Sequence, residues 1–217
     1  MTGFWSETNR FVQLLRLDMR MRTITIHASS ILTTALFGPK GVASKKLRKV
    51  MMRKITSDVD LCFFYALNIL KSSFPEGVKV ISESAMCSYH YAADVLKSPF
   101  PEGEAAIAEN AYFSYSYALN VLHAPFPAGE KVIAESAYYI YYYARNVLKG
   151  PFPAGEEAIS QSDWYNYCYA KDVLHAPFPA GEKAISENLC YSKLYLQFLE
   201  SINQKPSHPE LFNLVEV

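Results

Sequence analysis

The sequence predicts an all-α protein, an α-solenoid of about five to six short helix–loop–helix repeats. Two observations predict it: the string PFPAGE or a close variant recurs with a constant period, and an isoleucine follows each copy at a fixed distance. A constant period of this length is typical of repeat proteins whose neighbouring units stack on one another. We number repeats 1 to 5 by the central phenylalanine of each copy, which are Phe74, Phe100, Phe126, Phe152 and Phe178.

Each repeat is predicted to hold a loop, a short helix and a longer helix, as repeat 3 illustrates. Pro127 and Gly129 are expected to end the preceding helix and to permit a turn. Glu130 then lies in the first turn of a short helix, where a carboxylate suits the positive helix terminus. Ser136 is expected to cap a long helix of about 13 residues, which Pro151 ends. The same cap position holds Ser84, Asn110, Ser162 and Asn188.

The core is predicted on one stripe of the long helices, because a single hairpin cannot bury its own apolar face. In repeat 2 a helical wheel places the stripe at Ala111, Tyr115, Ala118, Val121 and Leu122. The recurring alanine is expected to let adjacent helices approach closely. Stacking of neighbouring repeats therefore supplies the core.

The chain divides into three segments by pattern and charge. Residues 1–54 form a basic, partly helical cap or arm, residues 55–203 the repeat array, and residues 204–217 a tail expected to be loosely held. Residues 1–55 carry a net charge of +9 and the remainder −9. The basic cluster at the start of the array is expected to contact phosphates, cover the acidic array, or remain solvated. It comprises Lys45, Lys46, Arg48, Lys49, Arg53 and Lys54.

The first 44 residues carry weaker patterns. Residues 11–21 suggest an amphipathic basic helix, residues 23–26 a short strand, and residues 31–37 an apolar helix. No uncharged apolar run is long enough to predict a transmembrane segment. The four cysteines are interpreted as free buried thiols in a reducing compartment, so the protein is expected to be intracellular and cytoplasmic.

The motif PFPxGExxI, followed by tyrosine-rich helices, resembles tandem repeats of uncharacterised phage and metagenomic proteins. The resemblance covers about residues 55–203. It implies a helical-repeat fold and a phage origin, and it brings no activity or site residues with it.

One position of the long helix is Asn or Asp in every copy. The structural interpretation is a ladder that accepts hydrogen bonds from backbone N–H groups of the adjacent PFPxGE loop. The alternative is a row of polar readers with tyrosine neighbours, one for each repeat, as in proteins that read RNA base by base. We favour the ladder because readers are expected to vary. Its members are Asn68, Asp94, Asn120, Asn146 and Asp172.

Variable positions nearby are better candidates for partner contact, although an unconstrained solvated surface explains them too. The position one turn before the ladder holds His90, Ser116, Tyr142 and Cys168. The position just before the ladder includes Arg145 and Lys171.

Function is predicted from what the repeats offer and from missing motifs. No metalloprotease, P-loop, nucleophile-elbow or dinucleotide motif is present, so no catalytic, cofactor or metal site is predicted. The leading interpretation is a non-enzymatic scaffold that binds a protein partner, with self-association through opposite charges as a further expectation. The alternative is an RNA- or single-stranded-DNA-binding repeat protein that uses residues 1–55 and the tyrosine-rich surface.

Overall fold

The computed structural model describes residues 45–212, and the side chains of residues 45–48 and 51 are outside that description. Between Lys45 and Phe212 the chain contains helices and no β-strand, so the prediction of an all-α repeat array is confirmed. In the same range no helix combines the length and the apolar character needed to cross a membrane. The elements predicted within residues 11–37 lie outside the described residues. The chain separates into two compact units, one ending at Ile81 and the other beginning at Ser82.

The first unit contains the basic helix and the loop of repeat 1. Its core consists of Ile55, Phe64, Phe74 and Ile81, each at most 2% exposed. Its elements are Lys45–Ile55, Val59–Phe64 with a π-type last turn Tyr65–Leu70, the 3-10 turn Pro75–Gly77 and Val78–Ile81.

The second unit stacks long helices, and each packs against the long helix of the next repeat. The long helices are Ala85–His90, Ala111–Tyr117, Ala137–Tyr143, Asp163–Tyr169 and Leu189–Ser201. The first four continue into the π-type turns Tyr91–Leu96, Ala118–Leu122, Ala144–Leu148 and Ala170–Leu174. The short helices are Glu104–Ile107, Pro127–Ile133, Glu156–Ile159 and Glu182–Ser186. The 3-10 turns are Pro101–Gly103, Pro153–Gly155, Pro179–Gly181 and Pro209–Phe212.

The long helices begin at the predicted cap residues. The side chains of Ser84, Asn110 and Asn188 accept hydrogen bonds from backbone N–H groups of the first helical turn. Ser136 and Ser162 have the extended backbone of a cap but make no such side-chain bond. The helix starts were therefore predictable, whereas the capping bonds are not uniform.

Each π-type turn ends in a residue with left-handed backbone. His123 has φ 51°, and the next N–H, of Ala124, bonds to the Ala118 carbonyl at 3.3 Å. This bond spans one residue more than the corresponding bond of a Schellman motif, and glycine is the usual residue at such a left-handed helix end. The equivalent residues are Lys71, Lys97, Lys149 and His175.

The loop glycines serve close packing rather than the turn for which they were predicted. Gly103 has φ −94°, a conformation that other residues adopt readily. A Cβ built on Gly129 would lie 2.5 Å from the Cβ of Ser114 in the preceding long helix. Glycine is therefore required because the loop backbone lies directly against that helix.

The predicted core stripe is only partly correct. Ala118 is fully buried, but Tyr115, Val121 and Leu122 are half-buried, and the deepest large side chain of repeat 2 is Tyr117. A single stripe is the wrong description because this helix contacts the long helices of both neighbouring repeats and two short helices. Packing from several directions buries a wider arc of the helix than one stripe.

The tail was expected to be loosely held, but its described part packs on repeat 5. Phe212 is 5% exposed, and its ring stacks on Tyr195 with centroids 5.8 Å apart. Glu182 accepts hydrogen bonds from the N–H groups of Ser207 and His208. A concavity of about 570 Å³ lies where the last helix meets the tail, with Leu196 in its lining.

Candidate binding surface

A buried tyrosine fixes the orientation of each long helix in repeats 2 to 5. In repeat 3 the Tyr143 hydroxyl accepts the N–H of Phe126 at 2.8 Å and donates to Glu130 at 2.9 Å. The Tyr143 ring meets Phe152 of the next loop edge-on, with centroids 5.3 Å apart. We call this arrangement the tyrosine clasp. Its other hydroxyls belong to Tyr117, Tyr169 and Tyr195.

The clasp joins two repeats through one side chain. The hydroxyl binds the loop of its own repeat, while the ring packs against the loop of the following one. Burial raises the pKa of the Tyr143 hydroxyl, and the nearby Glu130 carboxylate raises it further, so the phenol keeps its proton. The long helices are consequently held at a fixed rotation, which determines the face that they expose.

That exposed face carries a row of large aromatic side chains. Tyr112, Tyr138 and Trp164 are 39%, 37% and 44% exposed. Each is the second residue of its long helix, and successive members are one repeat apart. We call these three residues the aromatic row. At the same position Met86 is half-buried and Cys190 is exposed.

The row is supported by rings from neighbouring repeats. The Tyr138 ring lies 6.3 Å from Tyr165, and the Trp164 ring lies 5.3 Å from Tyr191. Tyr138 also packs on Tyr142 within its own helix, with centroids 4.6 Å apart. These contacts link repeat 3 to repeat 4 and repeat 4 to repeat 5, and we call their rings the aromatic surface.

The Asn/Asp position lies beside this surface, and its partner differs from the expectation. Asn146 donates through Nδ2 to the hydroxyl of Tyr115 in the preceding repeat, at 2.9 Å. Asn120 donates likewise to Tyr89, at 3.0 Å. The predicted partner, the loop N–H, is already bonded to the tyrosine of the clasp. A phenol of the preceding repeat therefore replaces the backbone as the partner.

The remaining members of the ladder make different contacts. Asp172 accepts from the Tyr141 hydroxyl at 2.5 Å, which again joins two repeats. Asp94 pairs with His90 in its own helix at 2.8 Å. Asn68, in the first unit, donates to the Phe64 carbonyl of its own helix.

Two of the predicted partner-contact residues form a cationic flank of the aromatic surface. Arg145 donates to the Tyr141 hydroxyl at 2.9 Å and lies 3.9 Å from Asp172. Lys171 donates to the Tyr167 hydroxyl at 3.3 Å. Both cations are exposed, and each also lies over a tyrosine ring, within cation–π distance.

The other predicted contact residues divide by accessibility. His90 and Tyr142 are half-exposed and accessible. Ser116 and Cys168 are only 5% and 6% exposed, so their assignment to a contact surface is corrected. Small side chains at this position stay within the helix packing, whereas the larger Tyr142 reaches solvent. Burial, with a smaller contribution from Asp172, raises the pKa of the Cys168 thiol to about 11 and leaves it unreactive.

The basic cluster lies in the first unit, on the helix Lys45–Ile55. Lys49, Arg53 and Lys54 are exposed there. The side chains of Lys45, Lys46 and Arg48 lie outside the described residues.

The aromatic row was not predicted, although the sequence contains its signal. Tyr112, Tyr138 and Trp164 recur with the same period as the loops. Their exposure could not be read from that spacing, because buried tyrosines recur with the same period. Comparisons with protein-family models, curated proteins and solved structures found no match to this chain.

Proposed function

We propose that this chain is a non-enzymatic scaffold that binds a protein partner through the aromatic row and its cationic flank. The observation that carries the proposal is the exposure of three large aromatic side chains at one repeat position in three consecutive repeats. Tyrosine and tryptophan are enriched at the centres of protein interfaces, where they contribute a large share of the binding energy.

Side chains of the aromatic row are held in place before a partner binds, and this supports the same proposal. Tyr138 and Trp164 are held by rings in neighbouring repeats, so their side chains lose little conformational freedom when a partner binds. Each row position ends in a polar hydroxyl or indole N–H that can donate a hydrogen bond to a partner. The result is an interface of rigid aromatic residues beside the cationic flank.

The proposal is tested by affinity capture from cells of the source organism, with and without nuclease. A variant with Tyr112→Ser, Tyr138→Ser and Trp164→Ser is compared with the unchanged protein and with Leu211→Ser. Leu211 is 37% exposed and lies in the tail, so it controls for loss of an exposed apolar side chain. We expect a nuclease-resistant partner that the triple variant loses and Leu211→Ser keeps. Equal capture by all three proteins contradicts the proposal.

A second candidate, binding of single-stranded RNA or DNA, is favoured by the exposed Lys49, Arg53 and Lys54 of the basic helix. Phosphate contacts of this kind give an affinity that falls steeply with salt. A labelled single strand that binds with such a slope, and no longer binds when these three residues are replaced by serine, supports this candidate. Residues 82–212 carry a net charge of −7, which disfavours a nucleic-acid site on the repeats themselves.

The cellular compartment and the origin of the protein are part of the same proposal. Cys62, Cys87 and Cys168 are buried and, like the exposed Cys190, form no disulfide, which suits an intracellular, reducing compartment. We propose a cytoplasmic protein, and a phage origin rests on the resemblance of its repeats alone.

A further inference from the structure

Acidic side chains accompany the aromatic surface from repeat to repeat. The residue immediately before each long-helix cap is exposed and, with one exception, is glutamate. It lies three residues before the aromatic position, so glutamate and an exposed ring occur together in repeats 2 and 3, as Glu109 with Tyr112 and Glu135 with Tyr138. The glutamates are Glu83, Glu109, Glu135 and Glu187, and Gln161 takes the place in repeat 4. Repeat 4 instead has Asp163 beside its exposed tryptophan.

The cationic flank lies apart from this acidic row, whereas the exposed Lys131 and Lys183 precede Glu135 and Glu187 by four residues. Arg145 is directed at Tyr141 and Asp172, and Lys171 at Tyr167, on the flank rather than at the helix starts. The second unit as described has 15 acidic and 8 basic residues. Their net charge of −7 favours a cationic partner over a polyanion.

We propose that the partner segment bound by the aromatic row is an extended, cationic polypeptide with arginine or lysine at about every third residue. The proposal rests on the protein-binding function above and specifies its partner. Each guanidinium or ammonium group lies over one exposed ring and beside one carboxylate. Cation–π attraction and ion pairing then act on the same charge.

The periodicity of the partner follows from the dimensions of the array. Adjacent packed helices lie about 8–10 Å apart, so equivalent residues of consecutive repeats have a similar separation. An extended polypeptide advances about 3.3 Å per residue, so three residues span about one repeat. A basic residue at every third position consequently meets a ring and a carboxylate in each of repeats 2 to 4.

The test uses three labelled 15-residue peptides and the full chain. The first is five copies of Arg-Gly-Ser, the second has the same composition with its five arginines contiguous, and the third replaces each arginine by glutamate. We expect the periodic arginine peptide to bind best, the clustered one several-fold more weakly, and the glutamate peptide undetectably. Binding of the periodic peptide should also weaken several-fold between about 50 and 500 mM NaCl.

Two matched sets of variants locate the site. Glu109→Gln and Glu135→Gln together should weaken the periodic peptide about tenfold, as should the triple serine variant of the aromatic row. The control set, Glu157→Gln and Glu200→Gln, removes the same charge from exposed residues outside the starts of the long helices and should leave binding within about twofold. Circular dichroism verifies that all variants keep their helix content.

Each outcome distinguishes between the possible partners of the aromatic row. Equal weakening by both glutamate sets means that the peptide senses net charge alone, and it overturns the proposal. So does tighter binding of the glutamate peptide or of a single-stranded oligonucleotide. A salt-sensitive dimer of the chain that the aromatic variant abolishes means that a second copy occupies the surface, which also overturns it. If no peptide binds while cellular capture still depends on the aromatic row, the cationic partner is wrong and the scaffold function stands.

Discussion

An interior repeat and the last repeat contain the same tyrosine clasp but use its carboxylate differently. In repeat 3 Glu130 is half-buried and accepts one hydrogen bond, from Tyr143. In repeat 5 Glu182 is completely buried and accepts from Tyr195 and from two backbone N–H groups of the tail. The carboxylate that orders a loop inside the array thus also anchors the chain at its end.

The tail also takes the place of a following repeat at the aromatic ring of the clasp. Tyr117 and Tyr143 each pack against the phenylalanine of the next loop, at 5.2 and 5.3 Å. No sixth loop follows Tyr195, and Phe212 of the tail packs on its ring instead. Terminal repeats lack one neighbour, and here the tail supplies the contacts that the missing repeat would have made.

The sharpest test of this comparison is Glu182→Ala against Glu130→Ala. Removing Glu182 leaves three donors without their acceptor, and we expect a loss of about 2–4 kcal/mol in the free energy of unfolding. Removing Glu130 leaves one donor, the Tyr143 hydroxyl, and should cost about 1 kcal/mol. Urea denaturation followed by circular dichroism measures both. Similar losses in the two variants mean that the hydrogen bonds from Ser207 and His208 to Glu182 do not stabilise the fold.

Unfolding at alkaline pH tests whether the hydroxyl proton of the clasp tyrosine stabilises the fold equally in repeats 3 and 5. Burial raises the pKa of Tyr143 and of Tyr195 above the ordinary value of 10.0. A folded-state pKa above the unfolded one gives stability that is complete below pH 10 and is lost as the pH rises further. Each clasp tyrosine then contributes a slope of up to about 1.4 kcal/mol per pH unit.

We therefore expect cooperative unfolding above pH 10, which denaturation at fixed pH values from 8 to about 12 follows. Tyr143→Phe and Tyr195→Phe should reduce the slope of stability against pH by the same amount. Tyr112→Phe, on the exposed row, is the control and should leave the slope unchanged. A slope that falls only for Tyr195→Phe means that the interior clasps ionise without unfolding.

The Asn/Asp ladder belongs to the interior only. Asn120→Ala removes the bond to Tyr89 in the preceding repeat and should lower the stability by about 1 kcal/mol. Asn68→Ala removes only a bond to a carbonyl of its own helix and should change it by less than about 0.5 kcal/mol. Thermal unfolding compares the two variants. If Asn120→Ala leaves stability unchanged but abolishes partner capture, the position reads a partner instead.

The smallest effect is expected at the left-handed helix ends. His123 has φ 51°, a conformation that costs a non-glycine residue about 1 kcal/mol. His123→Gly should therefore stabilise the protein by about 0.5–1 kcal/mol. Asn203, after the last helix, has φ 56° but is a residue type that tolerates this region, so Asn203→Gly should change stability very little. Equal gains in urea denaturation contradict this difference.

The sequence was sufficient for the elements that depend on local chemistry. Proline, the loop motif and the Ser/Asn caps located the start of every long helix in repeats 1 to 5, because these residues act on their own backbone. The constant period located the repeats, because every copy carries the same loop residues. The acidic position before each cap and the exposed aromatic position were also present in that period.

The sequence was insufficient where partners lie in different repeats. The phenol that bonds Asn146 belongs to Tyr115 of the preceding repeat, and no local pattern connects the two. The helical wheel left Tyr117 out of the predicted core stripe, because it assumes packing from one direction. The tail escaped prediction since Phe212 does not fall in the series of loop phenylalanines that ends at Phe178.

The ring of Phe212 has a consequence for assembly. A stack of similar repeats has no inherent length, because the surface that receives one repeat is regenerated by the next, and an open end of this kind favours head-to-tail growth into filaments. Phe212 and the bonds to Glu182 occupy that surface with residues of the chain's own tail, so this end of the stack presents no open receiving surface. We therefore expect that one whole repeat added or removed between Phe100 and Phe178 leaves the terminating contacts intact and changes the aromatic row by one ring.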